Sequence, residues 1–209
     1  MNKFFFTIIS FLALTFLTNC SARKTTPTAD PLTTDIGVTI NGITWATRNV
    51  DAPGTFAANP EDAGMFFQWN RRKGWNATDE EVEGWDNSYS TGTEWYAKEN
   101  DPCPKGWRVP TTDELRLLIN AGSEWIIQNG VNGRIFGTVP NQIFIPTAGA
   151  ARGTNGEFIY INEWGFYWSD TQNCTILFTA WNLQFSSNGT WVSGCTPRSY
   201  GMSIRCVKI

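Results

Sequence analysis

The chain has 209 residues, with 16 Lys and Arg against 19 Asp and Glu, 41% apolar residues and 17% charged ones. This balance builds a hydrophobic core and excludes a disordered, solvating chain, and a net charge of −3 offers no basic face to a nucleic acid. With no histidine anywhere, a Ser-His-Asp triad, a Cys-His dyad, a His-ligated zinc and a histidine pH switch are all excluded.

From the N-terminus, Phe4 to Leu17 is apolar or hydroxyl-bearing throughout. It is shorter than the roughly 20 residues that cross a bilayer and has the length of a signal-peptide core. The stretch runs into Leu17-Thr18-Asn19-Cys20, which resembles a bacterial lipobox with Asn19 where small residues are usual. The resemblance implies removal of residues 1–19 and diacylation of Cys20, and two acyl chains anchor far more firmly than one. Residues 20–36 are polar, carry Pro27 and Pro31, lack apolar periodicity and read as a flexible tether. Some Bacteroidota lipoproteins carry an acidic surface-export run just after the lipid cysteine; here that place holds Arg23 and Lys24. The expected address is the bacterial cell envelope, as an outer-membrane lipoprotein whose side, periplasmic or surface, stays open.

Residues 37–209 read as one domain. Val38 to Trp45 is a strand, an Asn41-Gly42 turn and a second strand, a strong hairpin signal. Ala63 to Trp69 is a further apolar, aromatic run, and residues 70–100 read as a loop around Trp75, Trp85, Trp95 and Tyr96. One helix is expected from Thr111 or Thr112. Glu114 follows Thr111 by three residues as in a capping box, Leu115, Leu118 and Ile119 form its apolar stripe, and Gly122 stops it. Strands are then expected over residues 134–139, 142–145, 158–161, 165–169, 179–185 and 202–207, punctuated by Asn-Gly pairs or Pro. The fold class is α+β, strand-rich, with one clear helix and long irregular loops.

Besides Cys20, four cysteines remain: Cys103, Cys174, Cys195 and Cys206. In an exported chain that even count implies two disulfides with three possible connectivities. The pairing favoured is Cys103–Cys206, from a Pro-flanked turn to the C-terminal strand, with Cys174–Cys195 bracketing a polar segment. No C-x-x-C spacing occurs, so a zinc knuckle or thioredoxin-like site is not expected, and no metal or cofactor is expected.

The segment Asp101-Pro102-Cys103-Pro104-Lys105-Gly106-Trp107-Arg108-Val109-Pro110-Thr111 resembles the block that marks the Fibrobacter succinogenes major paralogous domain. Asn41-Gly42-Ile43-Thr44-Trp45, Phe67-Gln68-Trp69, 146–153, 165–169, Ala180-Trp181-Asn182-Leu183 and 201–208 follow in the family's order, so the resemblance spans roughly 37–209. It implies a C-type-lectin-like, disulfide-linked fold with the N- and C-terminal strands side by side and Arg205 and Cys206 at the heart of the sheet. It implies no defined activity.

Residues 170–200 combine aromatics with small polar groups, the chemistry of an adaptable binding surface. The candidate contacts are Trp181, Trp191, Arg198, Tyr200, Asn173 and Asn188, although alternation with Leu183 and Phe185 also permits Trp181 to face the core. The expected function is noncovalent recognition of a protein or glycan. Alternatives are a structural or fimbria-associated envelope component, the target protein of a diversity-generating retroelement, which carries a variable C-terminal surface, and, least, an enzyme like the formylglycine-generating relatives with Cys174 and Cys195 as its thiol pair. Trp181-Asn182-Leu183 lacks the final acid of the calcium-lectin Trp-Asn-Asp motif, so calcium-dependent sugar binding is not expected. The tryptophans at 75, 85 and 95 would form a platform or roof the sheet.

Overall fold

A computed structural model describes residues 30–76, 82, 84–91, 99–152, 156–173 and 175–209. The leader, the anchor Cys20, most of the tether, Trp95 and Cys174 lie outside the described residues. In chain order the elements are β1 (Val38–Ile40), β2 (Ile43–Trp45), β3 (Phe66–Gln68), β4 (Gly74–Trp75), β5 (Trp107–Arg108) and α1 (Thr112–Asn120). Then come β6 (Ser123–Gln128), β7 (Val131–Thr138), β8 (Asn141–Pro146), β9 (Ala150–Arg152) and β10 (Glu157–Ile159). The chain closes with β11 (Gly165–Gln172), β12 (Thr179–Ser186), β13 (Gly189–Pro197), β14 (Gly201–Met202) and β15 (Val207–Lys208). This is a strand-rich α+β domain.

The strands form four small antiparallel sheets, ordered β1-β2-β15-β5, β10-β9-β14-β3-β4, β6-β7-β8 and β11-β12-β13. The first brings the ends of the domain together: Val207 pairs with both Trp45 and Arg108, so the C-terminal strand lies between the first hairpin and the Pro-Cys-Pro turn. There Cys103 and Cys206 form the expected disulfide across a sequence separation of 103 residues. Arg205 is buried beside it as expected, donating to Asn49 Oδ1 at 2.9 Å and to the Ala46 carbonyl at 3.2 Å. Burial pulls its guanidinium down to about 10, because the charged form loses its water.

The hairpin β1–β2 turns on Asn41 and Gly42, both at positive φ, the signature of a two-residue primed turn. The helix starts as read. Thr111 accepts from Glu114 N–H, and the Glu114 carboxylate accepts from Thr111 N–H at 2.8 Å. Leu115 and Leu118 are buried against Trp45, Phe136, Tyr167 and Phe185. A second cluster gathers Trp69, Trp168, Phe67, Met202 and Ile204 around the disulfide. Each such fully buried large side chain contributes about 1.5–3 kcal/mol. Trp75 and Trp85 pack together at 4.9 Å over Phe66 and Ala151, so these two roof a sheet and are not an exposed platform.

Three expectations change. Ser123–Gln128 is a strand that its sequence hides, because neither face of SEWIIQ is uniformly apolar. The expected strand at 158–161 ends at Ile159, since Tyr160 and Asn162 adopt positive φ in a turn. Residues 31–35, expected as tether, are held against the domain: Arg48 pairs with Asp35 at 3.3 Å and donates to the Pro31 and Thr34 carbonyls, and Phe56 N–H donates to Leu32 O.

Candidate binding cleft

The sheet β11-β12-β13 runs from Gly165 to Pro197 and so holds most of residues 170–200, the region where recognition was expected. Cross-strand partners share a face of a sheet, so the pairs Phe166–Gln184, Trp168–Asn182, Gln184–Trp191 and Asn182–Ser193 place these side chains together. The opposite face carries Tyr167, Leu183 and Phe185 into the helix-side core. Gly165 is needed where Phe185 lies over it: an added Cβ would sit 2.1 Å from the ring.

Between Asn182 and Ala180 the register slips, with Asn182 opposite Ser193 but Ala180 opposite Thr196. The bulge takes up one extra residue of β13 around Gly194 and Cys195 and inverts its alternation. Thr196, which strict alternation from Trp191 would send to the other face, is thereby returned to the face of Gln184 and Asn182. Asn182 Nδ2 reaches Thr196 Oγ1 at 2.8 Å and Gln184 Nε2 reaches it at 3.3 Å. Gly194 itself faces the other way, where an added Cβ would sit 2.8 Å from the Trp181 indole, which also carries the Arg116 guanidinium 5.3 Å from its ring centre.

Over this face the turn at 160–164 folds back and closes one side of a cleft of about 300 Å³. Its walls are Tyr160, Phe166 and Tyr200, with Gln184, Ser193 and Thr196 as the polar lining and Cys195 on its edge. Trp164 stacks on Phe166 at 5.9 Å and meets Trp191 edge-on at 5.2 Å, extending the aromatic wall to the rim. Trp191 is 37% exposed and its indole N–H donates to Gln184 Oε1 at 3.1 Å. No acidic or basic side chain is among the described residues that line this cleft.

The expected contact residues therefore divide. Tyr200 lines the cleft, Trp191 stands at its rim against Trp164 and Gln184, and Asn188 is exposed at the tip of the β12–β13 turn. Trp181 is half-buried on the opposite face, toward the helix. Arg198 is only 5% exposed and is not a surface group: its guanidinium lies 4.2 Å from the Trp69 ring centre and donates to the Thr179 and Ser90 carbonyls and to Gln172 Oε1. Asn173 is also buried, because its amide caps a turn, accepting from Thr175 and Ile176 N–H and donating to the Gly194 carbonyl. Cys195 is an exposed free thiol among the described residues, and Cys174, its expected partner, lies outside them. The groups that sequence reasoning missed are Tyr160, Trp164, Gln184 and Thr196. The available signal for Thr196 was Gly194 inside a strand, a mark of a bulge.

A wider crevice of about 680 Å³ opens beside the disulfide, lined by Arg72, Asp101, Lys105 and Arg108. Its polar groups are largely committed to the fold. Asp101 accepts from Cys103 and Val109 N–H, Arg72 donates to the Asp101 carbonyl, and Arg108 grips Glu114 with both nitrogens at 2.8 and 2.6 Å. Burial raises the Asp101 carboxyl above its usual range despite those two N–H donors. Among the described residues no cluster of three or more Cys, Asp or Glu could hold a metal, and no helix is long and apolar enough to cross a membrane. No family model, curated protein or solved structure matches the chain.

Proposed function

We propose that this chain is an exported lipoprotein, held at the bacterial cell envelope through Cys20, whose domain recognises a partner noncovalently. The leader and lipobox-like run support the address. The Pro-Cys-Pro block and the terminal strands meeting at Cys103–Cys206 support membership of the Fibrobacter succinogenes major paralogous family and its C-type-lectin-like fold. The observation that carries the recognition reading is the cleft on β11-β12-β13: aromatic rings around a polar strip whose hydrogen-bonding capacity the protein leaves partly unused. Rigid aromatic groups give contact area at low entropy cost, and adjacent amides and hydroxyls set orientation. The contact set is Trp191 and Tyr200, joined by Tyr160, Trp164, Gln184 and Thr196.

The test is capture from envelope extract and from a glycan array by the soluble domain, with Trp191→Ala and Tyr200→Ala alongside. Both rings lie outside the two main cores or at their margin, so the variants fold and lose binding at least about tenfold, as contact aromatics do. Binding unchanged in both variants rejects the cleft.

A further inference from the structure

We infer that the cleft takes a ring of an uncharged carbohydrate and reads it through the hydroxyl of Thr196, an inference that rests on the recognition reading above. The orientation of the polar strip is fixed by chemistry. An indole N–H can only donate, so the atom of Gln184 facing Trp191 at 3.1 Å is its carbonyl oxygen, and the atom facing Thr196 is its amide nitrogen. Asn182 faces the Ser193 carbonyl, which can only accept, at 3.2 Å, so its amide nitrogen is the atom directed at Thr196. Thr196 Oγ1 thus accepts two N–H groups and both its lone pairs are taken. Its hydrogen finds no acceptor among the described residues, and Thr196 lines the cleft. The chain from Trp191 N–H through Gln184 to Thr196 points one way, each bond polarising the next, and ends on a donor. Beneath it Asn182 is fully buried, with Oδ1 unpartnered.

The surroundings select the ligand class. A carboxylate or sulfate would surrender its water in a cleft with no cation among its described lining residues, which is costly. A hydrocarbon would bury the Thr196 hydrogen and the second Gln184 N–H without partners. A sugar ring meets both conditions. Its C–H face suits the electron-rich faces of the lining rings Tyr160, Phe166 and Tyr200, and its hydroxyl or ring oxygen accepts from Thr196. At about 300 Å³ the cleft lies at the small end of ligand sites and suits a single ring with its substituents.

The probes are gluco-, manno-, xylo- and galacto-oligosaccharides, with uronate and sulfated oligosaccharides as acidic counterparts. Calorimetry and protection of the Cys195 thiol from maleimide, mapped on its own peptide, are the readouts, since Cys195 lies on the cleft. At least one neutral sugar binds and slows Cys195 labelling. Thr196→Val lowers that affinity about tenfold and Thr196→Ser restores it to within about threefold. If Thr196→Val does not fold, Trp191→Phe serves in its place: it keeps the ring, removes the first donor and costs about threefold. The inference is overturned if no neutral sugar binds at millimolar concentration, if only acidic sugars bind, or if Thr196→Val binds as well as the wild type. A protein partner lost in Trp191→Ala without any neutral sugar binding overturns the carbohydrate inference and leaves the recognition reading standing.

Discussion

The disulfide end of the domain and the cleft face of β11-β12-β13 are built from the same kinds of residue and use them oppositely. At the disulfide end the polar groups close on one another. Arg108, Glu114 and Thr111 complete a ring of charge-assisted bonds, and Asp101 holds the backbone N–H groups of Cys103 and Val109. At the cleft the line of Trp191, Gln184 and Thr196 starts at the rim and ends with an unused hydroxyl hydrogen. A closed network fixes shape and offers nothing outward; an open one keeps a group pre-oriented for something else. Residue type alone does not separate the two cases. Arg198 has the look of a contact residue, yet it belongs to the closed kind, spanning the Ser90 loop and β12 with each of its three guanidinium nitrogens donating to the fold.

The comparison breaks first at the disulfide. Replacing Cys103 and Cys206 by Ser, or reducing the bond, frees a loop of about 100 residues and costs about 4–5 kcal/mol in the chain-entropy model. For a domain of this size that lowers Tm by roughly 10–15 °C. Calorimetry with and without reductant measures it. A shift of only a few degrees would mean that the terminal strands hold together through β15 pairing and core packing, and that the closed end does not depend on its bridge.

The next effect is smaller and depends on pH. Burial opposes ionisation of Glu114, but the Arg108 guanidinium and the Thr111 N–H outweigh it and hold the carboxyl below its usual range. The folded protein therefore binds a proton there less readily than the unfolded chain does. The stabilisation is complete above the ordinary glutamate value near 4.3 and disappears as pH falls through the depressed folded value. Glu114→Gln weakens both the pair and the capping box, so it costs about 1–2 kcal/mol at pH 7. Denaturant titrations of the two proteins converge below about pH 4. A difference that stays constant across that range would assign the cost to the amide's geometry and not to the charge.

Local chemistry was legible in the sequence wherever the interacting groups are near neighbours. The Thr111–Glu114 box and the Asn41-Gly42 turn are a few residues wide, and their partners sit inside the motif. The Cys103–Cys206 link was legible for another reason: a Pro-flanked cysteine in a turn and a cysteine in the last strand made the pair that ties the middle of the domain to its C-terminus. Burial of Arg198 and Asn173 was not legible, because it depends on Trp69, Ser90 and Gly194, which only the fold brings alongside. The cleft was half legible. Trp191 and Tyr200 stood out as aromatics in a polar run, but the bulge at Gly194 and Cys195 reverses the alternation on which any assignment of faces depends. Trp181 was grouped with Trp191 by residue type alone; its alternation with Leu183 and Phe185 already pointed to the helix side, and the two tryptophans lie on opposite sides of the sheet.

The smallest expected effect tests the open side most sharply, at Cys195. Its thiol is exposed and unbridged on the edge of the cleft. Cys195→Ser therefore changes stability by less than about 0.5 kcal/mol, as surface substitutions do. A second structural bridge would instead make the same change cost about 2–4 kcal/mol. The folded protein reacts with maleimide at Cys195 without denaturant, because access and not unfolding limits the reaction. Labelling that appears only after denaturation and reduction would put Cys195 in a disulfide with Cys174, and the cleft edge would then be cross-linked like the other end. Prompt labelling with an unchanged Tm means that one bridge holds the domain, while the bulged strand keeps its place by register and packing alone.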